Sequence, residues 1–254
     1  MLAGTGALFR QQFDIAPIVG ILIMAILCLI VFLYDIKGII AINSILVPFL
    51  VIGGIFLGIY SIIFRDTTVF SSLLTGTLNF FTQNWISSSL VYVSYNILTS
   101  AVILSSLFPI IKSVKEAKWG GILGGAALAL LGLSVAIATF INYEKISALE
   151  IPILAIVMDF GQGVEYIFFL VLLAAIFTTA VSNGYGFLTR LCAEFNLSYK
   201  SVIAFFMLAA VIVSQVGFSN MVSKLYSLFG YIGIFEVIII LIYFISYKIN
   251  KSKT

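Results

Sequence analysis

Histidine is missing from this chain, and charge is scarce: 13 Lys and Arg and 10 Asp and Glu stand in 254 residues, 9% charged against 62% hydrophobic. Without imidazole, a transition-metal site or a His-based nucleophilic triad has almost nothing to be built from. A soluble domain carries roughly 25% charged residues. That deficit, with a mean hydropathy of +1.22, makes the chain a polytopic membrane protein. Its net charge of +3 is not gathered into a basic stripe interleaved with aromatics, which excludes nucleic acid as a partner and leaves membrane lipid and small solutes. Cysteine is also sparse. Cys28 lies in an apolar run and Cys192 beside Arg190 and Glu194, so neither a CxxC metal pair nor a disulfide framework is available. No set of acids and metal ligands converges inside the membrane, so an enzyme is not expected and no cofactor is implied.

What is present is a series of apolar runs. Met1 to Phe9 is apolar but short, without a basic leader or a small-residue cleavage site, and reads as the tail of a longer helix. Arg10 to Asp14 reads as a polar turn, and Pro17 suits the first turn of a span reaching Tyr34. A second span covers Ile39 to Phe64, bent at Pro48 by the missing amide and the ring clash. Arg65 to Gln83 is rich in Thr, Ser and Phe and reads as an external loop with a short interfacial helix. Further spans are expected at Asn84 to Ile111, Trp119 to Asn142, Gly163 to Leu191, Tyr199 to Phe218 and Met221 to Tyr247. The fourth carries Gly120, Gly121, Gly124 and Gly125, two interleaved GxxxG spacings that allow another helix to approach closely. Glu144 to Gln162 is too short and too charged to span, and reads as a helix-turn element over the outer face.

The third span is the unusual one. Ser94, Tyr95 and Asn96 fall where hydrocarbon would be deepest, and Ser88, Tyr92, Tyr95 or Asn96, and Thr99 share a helical face. Such a face looks into protein or water. Either these groups are interhelical hydrogen-bonding glue, or they mark a discontinuous helix lining a midplane solute site. Tyr92 and Tyr95 would suit an aromatic-lined pocket, but serve equally as packing.

Orientation follows from the basic residues, which favour the cytoplasmic side. Lys37, Lys112, Lys115, Lys118, Arg190, Lys200, Lys248, Lys251 and Lys253 collect on one side, against Arg10, Arg65, Lys145 and Lys224 on the other. The C-terminus is therefore placed in the cytoplasm. Seven spans then put Met1 outside, which an odd number of further upstream spans would repair.

Several stretches carry a resemblance: MLAGTGALF at Met1 to Phe9, DIKGIIAINSILVP at Asp35 to Pro48, SYN at Ser94 to Asn96, EIP at Glu150 to Pro152 and FTTAVSNGYG at Phe177 to Gly186. Over essentially its whole length the chain resembles the YkvI-like membrane proteins of Gram-positive bacteria. Those are similar to distant members of the amino acid, polyamine and organocation transporter superfamily, whose LeuT-like fold encloses a midplane site between two inverted repeats of helices. The resemblance implies an all-α bundle lacking about the first three helices. Residues 1–64 would then hold the end of helix 3 and helices 4 and 5, 65–83 an external loop, and 84–254 a second five-helix repeat with a cytoplasmic tail. Ser94, Tyr95 and Asn96 would sit at the break in helix 6 and contact substrate. Ala175, Thr178 and Thr179 match the A-x-x-[ST]-[ST] pattern through which sodium-coupled relatives supply one carbonyl and two hydroxyls to the ion, and oxygen-only ligation suits a hard cation. The remaining ligands of such a site belong to helix 1 of that fold. Read without the resemblance, Thr178 and Thr179 are packing hydroxyls bonded to their own helix.

Glu236 is the one carboxylate inside an apolar span, where charge is costly. It is either a proton-coupling or gating group, or a hydrogen-bonded structural acid. Two functions remain open. One is a secondary transporter of a small organic solute, an amino acid or related compound, coupled to Na+ or H+, in the bacterial cell membrane. The other is a non-transporting membrane protein, a transporter remnant or an assembly partner that takes the missing helices from another chain.

Overall fold

The computed structural model describes residues 1–34, 37–64, 85–107, 111–146 and 149–251, with some side chains among them undescribed. The loop expected at Arg65 to Gln83 therefore lies outside the described residues. All regular structure among the described residues is helical: α1 (Leu2–Phe13), α2 (Pro17–Tyr34), α3 (Lys37–Phe64), α4 (Trp85–Leu107), α5 (Val114–Ile141), α6 (Tyr143–Ile146), α7 (Pro152–Val157), α8 (Gln162–Phe195), α9 (Tyr199–Ser214), α10 (Phe218–Met221) and α11 (Ser227–Lys251). A 3₁₀ turn, Met158–Phe160, follows α7, and a π-turn, Val222–Tyr226, joins α10 to α11.

Among the described residues, four segments are long and apolar enough to cross a bilayer: Ile45–Phe64, Val114–Ile141, Gln162–Phe195 and Phe218–Tyr247. Pro17–Leu33 and Tyr199–Ser214 are shorter apolar helices. The chain is a multi-pass membrane protein, and a helix lies over each of the seven expected spans. Much of its surface is bare Ile, Leu and Phe, as on Ile45, Phe49, Ile52 and Phe235, which suits a hydrocarbon solvent.

Backbone contact at glycines fixes the helix pairs. A Cβ on Gly6 would lie 2.8 Å from Pro17 O and one on Gly20 2.7 Å from Thr5 O, so α1 and α2 run antiparallel, backbone against backbone. α3 packs along α5, where a Cβ on Gly58 would meet the backbone of Ser134 at 2.8 Å. Gly230 meets Val91 and Gly233 meets Ser94; the same three-residue step in the same direction makes α4 and α11 parallel. α8 is central and touches α1, α2, α3, α4, α7 and α9.

Several boundaries depart from expectation. Arg10 to Gln12 continue α1, and the chain turns only at Asp14, which adopts a left-handed conformation with φ 55°. The polar side chains there are held by neighbours: Gln11 Nε2 donates to Ile151 O at 2.8 Å, Ile151 N–H donates to Gln11 Oε1 at 3.0 Å, and Gln12 Nε2 donates to Glu165 Oε1 at 2.6 Å. α5 begins before Trp119 because Ser113 caps it, its side chain accepting from Glu116 N–H at 3.2 Å, while Glu116 reaches back to Lys112 N–H. The 149–161 connection is the expected helix-turn element, but it enters the bundle. Leu154, Ile156 and Val157 are buried against Leu8, Phe169, Leu57 and Ala138, with Lys145 paired to Asp159 outside.

The GxxxG spacings meet no other helix among the described residues. None of these comes within 4 Å of a Cβ built on Gly120, Gly121, Gly124, Gly125 or Gly132. The spacing that packs is Gly54 to Gly58 on α3, because that face meets Ser134 and Leu131 of α5.

Candidate functional site

α4 runs unbroken through Ser94, Tyr95 and Asn96, as the packing alternative requires and without the break the resemblance implied. Three polar side chains bond back to the helix without unwinding it: Asn96 Nδ2 donates to Tyr92 O at 2.7 Å, Thr99 Oγ1 to Asn96 O at 3.0 Å, and Ser100 Oγ to Asn96 O at 2.6 Å. The face they form is also rotated from expectation. Tyr92 is 66% exposed whereas Ser94 is 1% exposed, so the inward row is Val91, Ser94, Tyr95 and Leu98, at i, i+3, i+4 and i+7.

That row separates the three predicted substrate residues. Ser94 turns to α11, where its carbonyl would lie 2.3 Å from a Cβ on Gly233. Tyr95 lies on the wall of an open cavity of about 1030 Å³ bordered by α1, α4, α8, α9 and the α10–α11 segment. Asn96 is not on that wall. Thr99, Asn183, Arg190, Glu194, Ser214 and Tyr226 supply its other polar positions, and Phe187, Phe218 and Phe229 much of its apolar lining. Tyr95 stacks on Tyr226 with ring centroids 4.3 Å apart. Tyr226 comes from the π-turn, a local widening of the helix that recurs at functional sites.

Thr99, Asn183, Arg190, Glu194, Ser214 and Tyr226 were not identified as ligand residues from sequence. Thr99 was legible on the polar face of its helix. Tyr226 carried no signal, because its position depends on an extra residue in one turn.

Ala175, Thr178 and Thr179 come together on α8, away from the cavity wall. Thr178 Oγ1 donates to Ala175 O at 3.2 Å and Thr179 Oγ1 donates to the same oxygen at 2.7 Å. Thr178 is 2% exposed. Glu236 is half-buried on α11, and its Oε2 is buried with no hydrogen-bond partner. Among the described residues no group of His, Cys, Asp and Glu is arranged to hold a metal ion.

The fold and this cavity define a multi-pass helical membrane protein with an apolar chamber between its helices. The chain is 31% identical over 249 residues to YyaD of Bacillus subtilis (strain 168), an uncharacterized protein, the match covering 96% of this chain and 70% of that one. It is 29% identical over 236 residues to YkvI of the same organism, an uncharacterized membrane protein, covering 92% of this chain and 66% of YkvI. The chain belongs to the family of these two proteins, and spans about two thirds of the length of each. No family model matches it. No solved structure matches it either.

Proposed function

We infer that the protein is a secondary transporter of a small organic solute, working by alternating access around the chamber at Tyr95. The observation that carries this reading is the cavity itself. Its volume, about 1030 Å³, is at the upper end of the roughly 300–1,000 Å³ typical of small-molecule sites, and like them it joins an apolar wall to a few polar groups. A cavity of that kind between apolar helices, two of them long enough to span, has no use in a plain anchor.

Tyr95, paired with Tyr226, is the substrate contact of this reading. Ser94 and Asn96 support the helix that carries it. The coupling ion is Na+ or H+, with Ala175, Thr178 and Thr179 as a partial sodium site. Each threonine spends its proton on Ala175 O, which leaves the lone pairs of the two hydroxyls for a cation, while the carbonyl already accepts both bonds. Transport, the inverted-repeat architecture, the absence of enzymatic activity and the cytoplasmic C-terminus all belong to this one reading.

The experiment is uptake into proteoliposomes by the full-length protein under an imposed Na+ or H+ gradient. Changing Thr178 to Ala and Thr179 to Val should abolish sodium dependence; equal sodium dependence in wild type and variant removes the ion assignment. Tyr95→Ala should weaken solute binding with the fold intact.

A further inference from the structure

Two buried polar atoms without partners lie at the same helix crossing. Ser94 Oγ, on a residue 1% exposed, and Glu236 Oε2 each have no hydrogen-bond partner. Buried polar groups are nearly always satisfied, so a pair of unsatisfied oxygens in one place points to a species held between them. Gly233 brings them to one place. A Cβ there would stand 2.3 Å from Ser94 O and 3.2 Å from Ser94 Cβ, so α11 lies directly on the Ser94 turn. Glu236 follows Gly233 by three residues on the same face, and helical side chains lean back toward the preceding turn. Its carboxyl therefore leans over the side-chain-free surface of Gly233, toward Ser94.

Charge decides what the species is. An ionised carboxylate within an apolar span is tolerated when paired with a cation or a basic side chain. Among the described residues Glu236 makes no ion pair. The elements packed against α11 are α4 and the π-turn, and their titratable groups in described positions are Tyr92, Tyr95, Lys224 and Tyr226. Lys224 lies about 18 Å from Glu236 along the helix axis, and tyrosines carry no positive charge. Among the described residues, no basic side chain stands beside Glu236.

We propose that Glu236 and Ser94 form a monovalent-cation site between α4 and α11, the carboxylate supplying the charge and the hydroxyl a neutral oxygen. The cation is a monovalent metal ion such as Na+. This site is distinct from the three oxygens on α8. It rests on packing and unsatisfied groups, and its occupancy does not require that the protein transport anything.

The test is equilibrium binding of radiolabelled Na+ to the purified full chain in lipid nanodiscs, in choline buffer. The background carries Thr178→Val and Thr179→Val, so that the α8 hydroxyls contribute nothing. One saturable site is expected, absent in Glu236→Gln and weakened about tenfold in Ser94→Ala, the usual scale for one lost polar ligand. Ser94→Cys, with a poorer ligand of similar size, reads the same change should the alanine variant misfold; elution as a single species checks each variant. The proposal is overturned if no saturable Na+ site is found, or if the Glu236→Gln or Ser94 variants bind Na+ as tightly as the unaltered background protein.

Discussion

Gly233→Ala tests whether α4 and α11 are held as one unit. A methyl there would stand 2.3 Å from Ser94 O and 2.7 Å from Ser94 C, both backbone atoms, so no rotamer change relieves the clash. Restoring even 3.0 Å to that oxygen moves the helices apart by about 0.7 Å. Overpacking of this kind costs about 1–3 kcal/mol, and a backbone clash belongs at the upper end. Alanine recovers about 1 kcal/mol of helix propensity over glycine, leaving a net loss of about 2 kcal/mol. Gly124→Ala is the internal control, because nothing lies within 4 Å of its Cβ; it should be neutral or stabilise by up to about 1 kcal/mol. Both are measured as unfolding free energies in mixed micelles, followed by helical circular dichroism. A Gly233→Ala protein as stable as wild type would refute the close approach of α4 and α11, and the cation site with it.

Other consequences follow from the same packing. Gly58→Ala should destabilise by about 1–3 kcal/mol, since its Cβ meets the Ser134 backbone at 2.8 Å, whereas Gly54→Ala, whose nearest atom is the movable Leu131 Cδ1, should cost less than half as much in the same unfolding assay. Gln11→Leu leaves the Ile151 N–H and carbonyl without their 3.0 and 2.8 Å partners. It should cost about 1–3 kcal/mol and raise hydrogen exchange across α7. Asp159→Ala removes an ion pair whose lysine side chain is 42% exposed, and should change stability by less than about 1 kcal/mol.

The spans were legible because the bilayer imposes length and apolarity on every crossing, and a helix stands over each expected run. Glycine partners were not legible. Gly120 to Gly125 display the more conspicuous spacing, yet Gly54 and Gly58 make the contact, because a motif states only that a backbone can be approached and not which helix approaches it. The polar face of α4 was read one residue out of phase. Ser88, Tyr92 and Thr99 fit a helical row as well as Val91, Ser94, Tyr95 and Leu98 do, and only the crossing at Gly230 and Gly233 selects between them. Polarity at Ser94 to Asn96 fitted either a packed helix or an unwound one, and amide and hydroxyl groups that bond to the preceding turn keep this polar helix intact. Tyr226 reaches the cavity through a π-turn, which shifts every later residue around the helix and leaves no mark in the periodicity.

The most direct measurement of the central claim takes the full-length protein with a panel of small organic solutes. Each solute is scored by the thermal stabilisation it confers, and the stabilising solute is then followed into proteoliposomes under Na+ and H+ gradients. The account predicts that this solute accumulates, that an ionophore collapsing the coupling gradient abolishes accumulation, and that Tyr95→Ala loses both stabilisation and uptake. A solute that stabilises the protein through Tyr95 and yet never crosses the membrane under either gradient would contradict it.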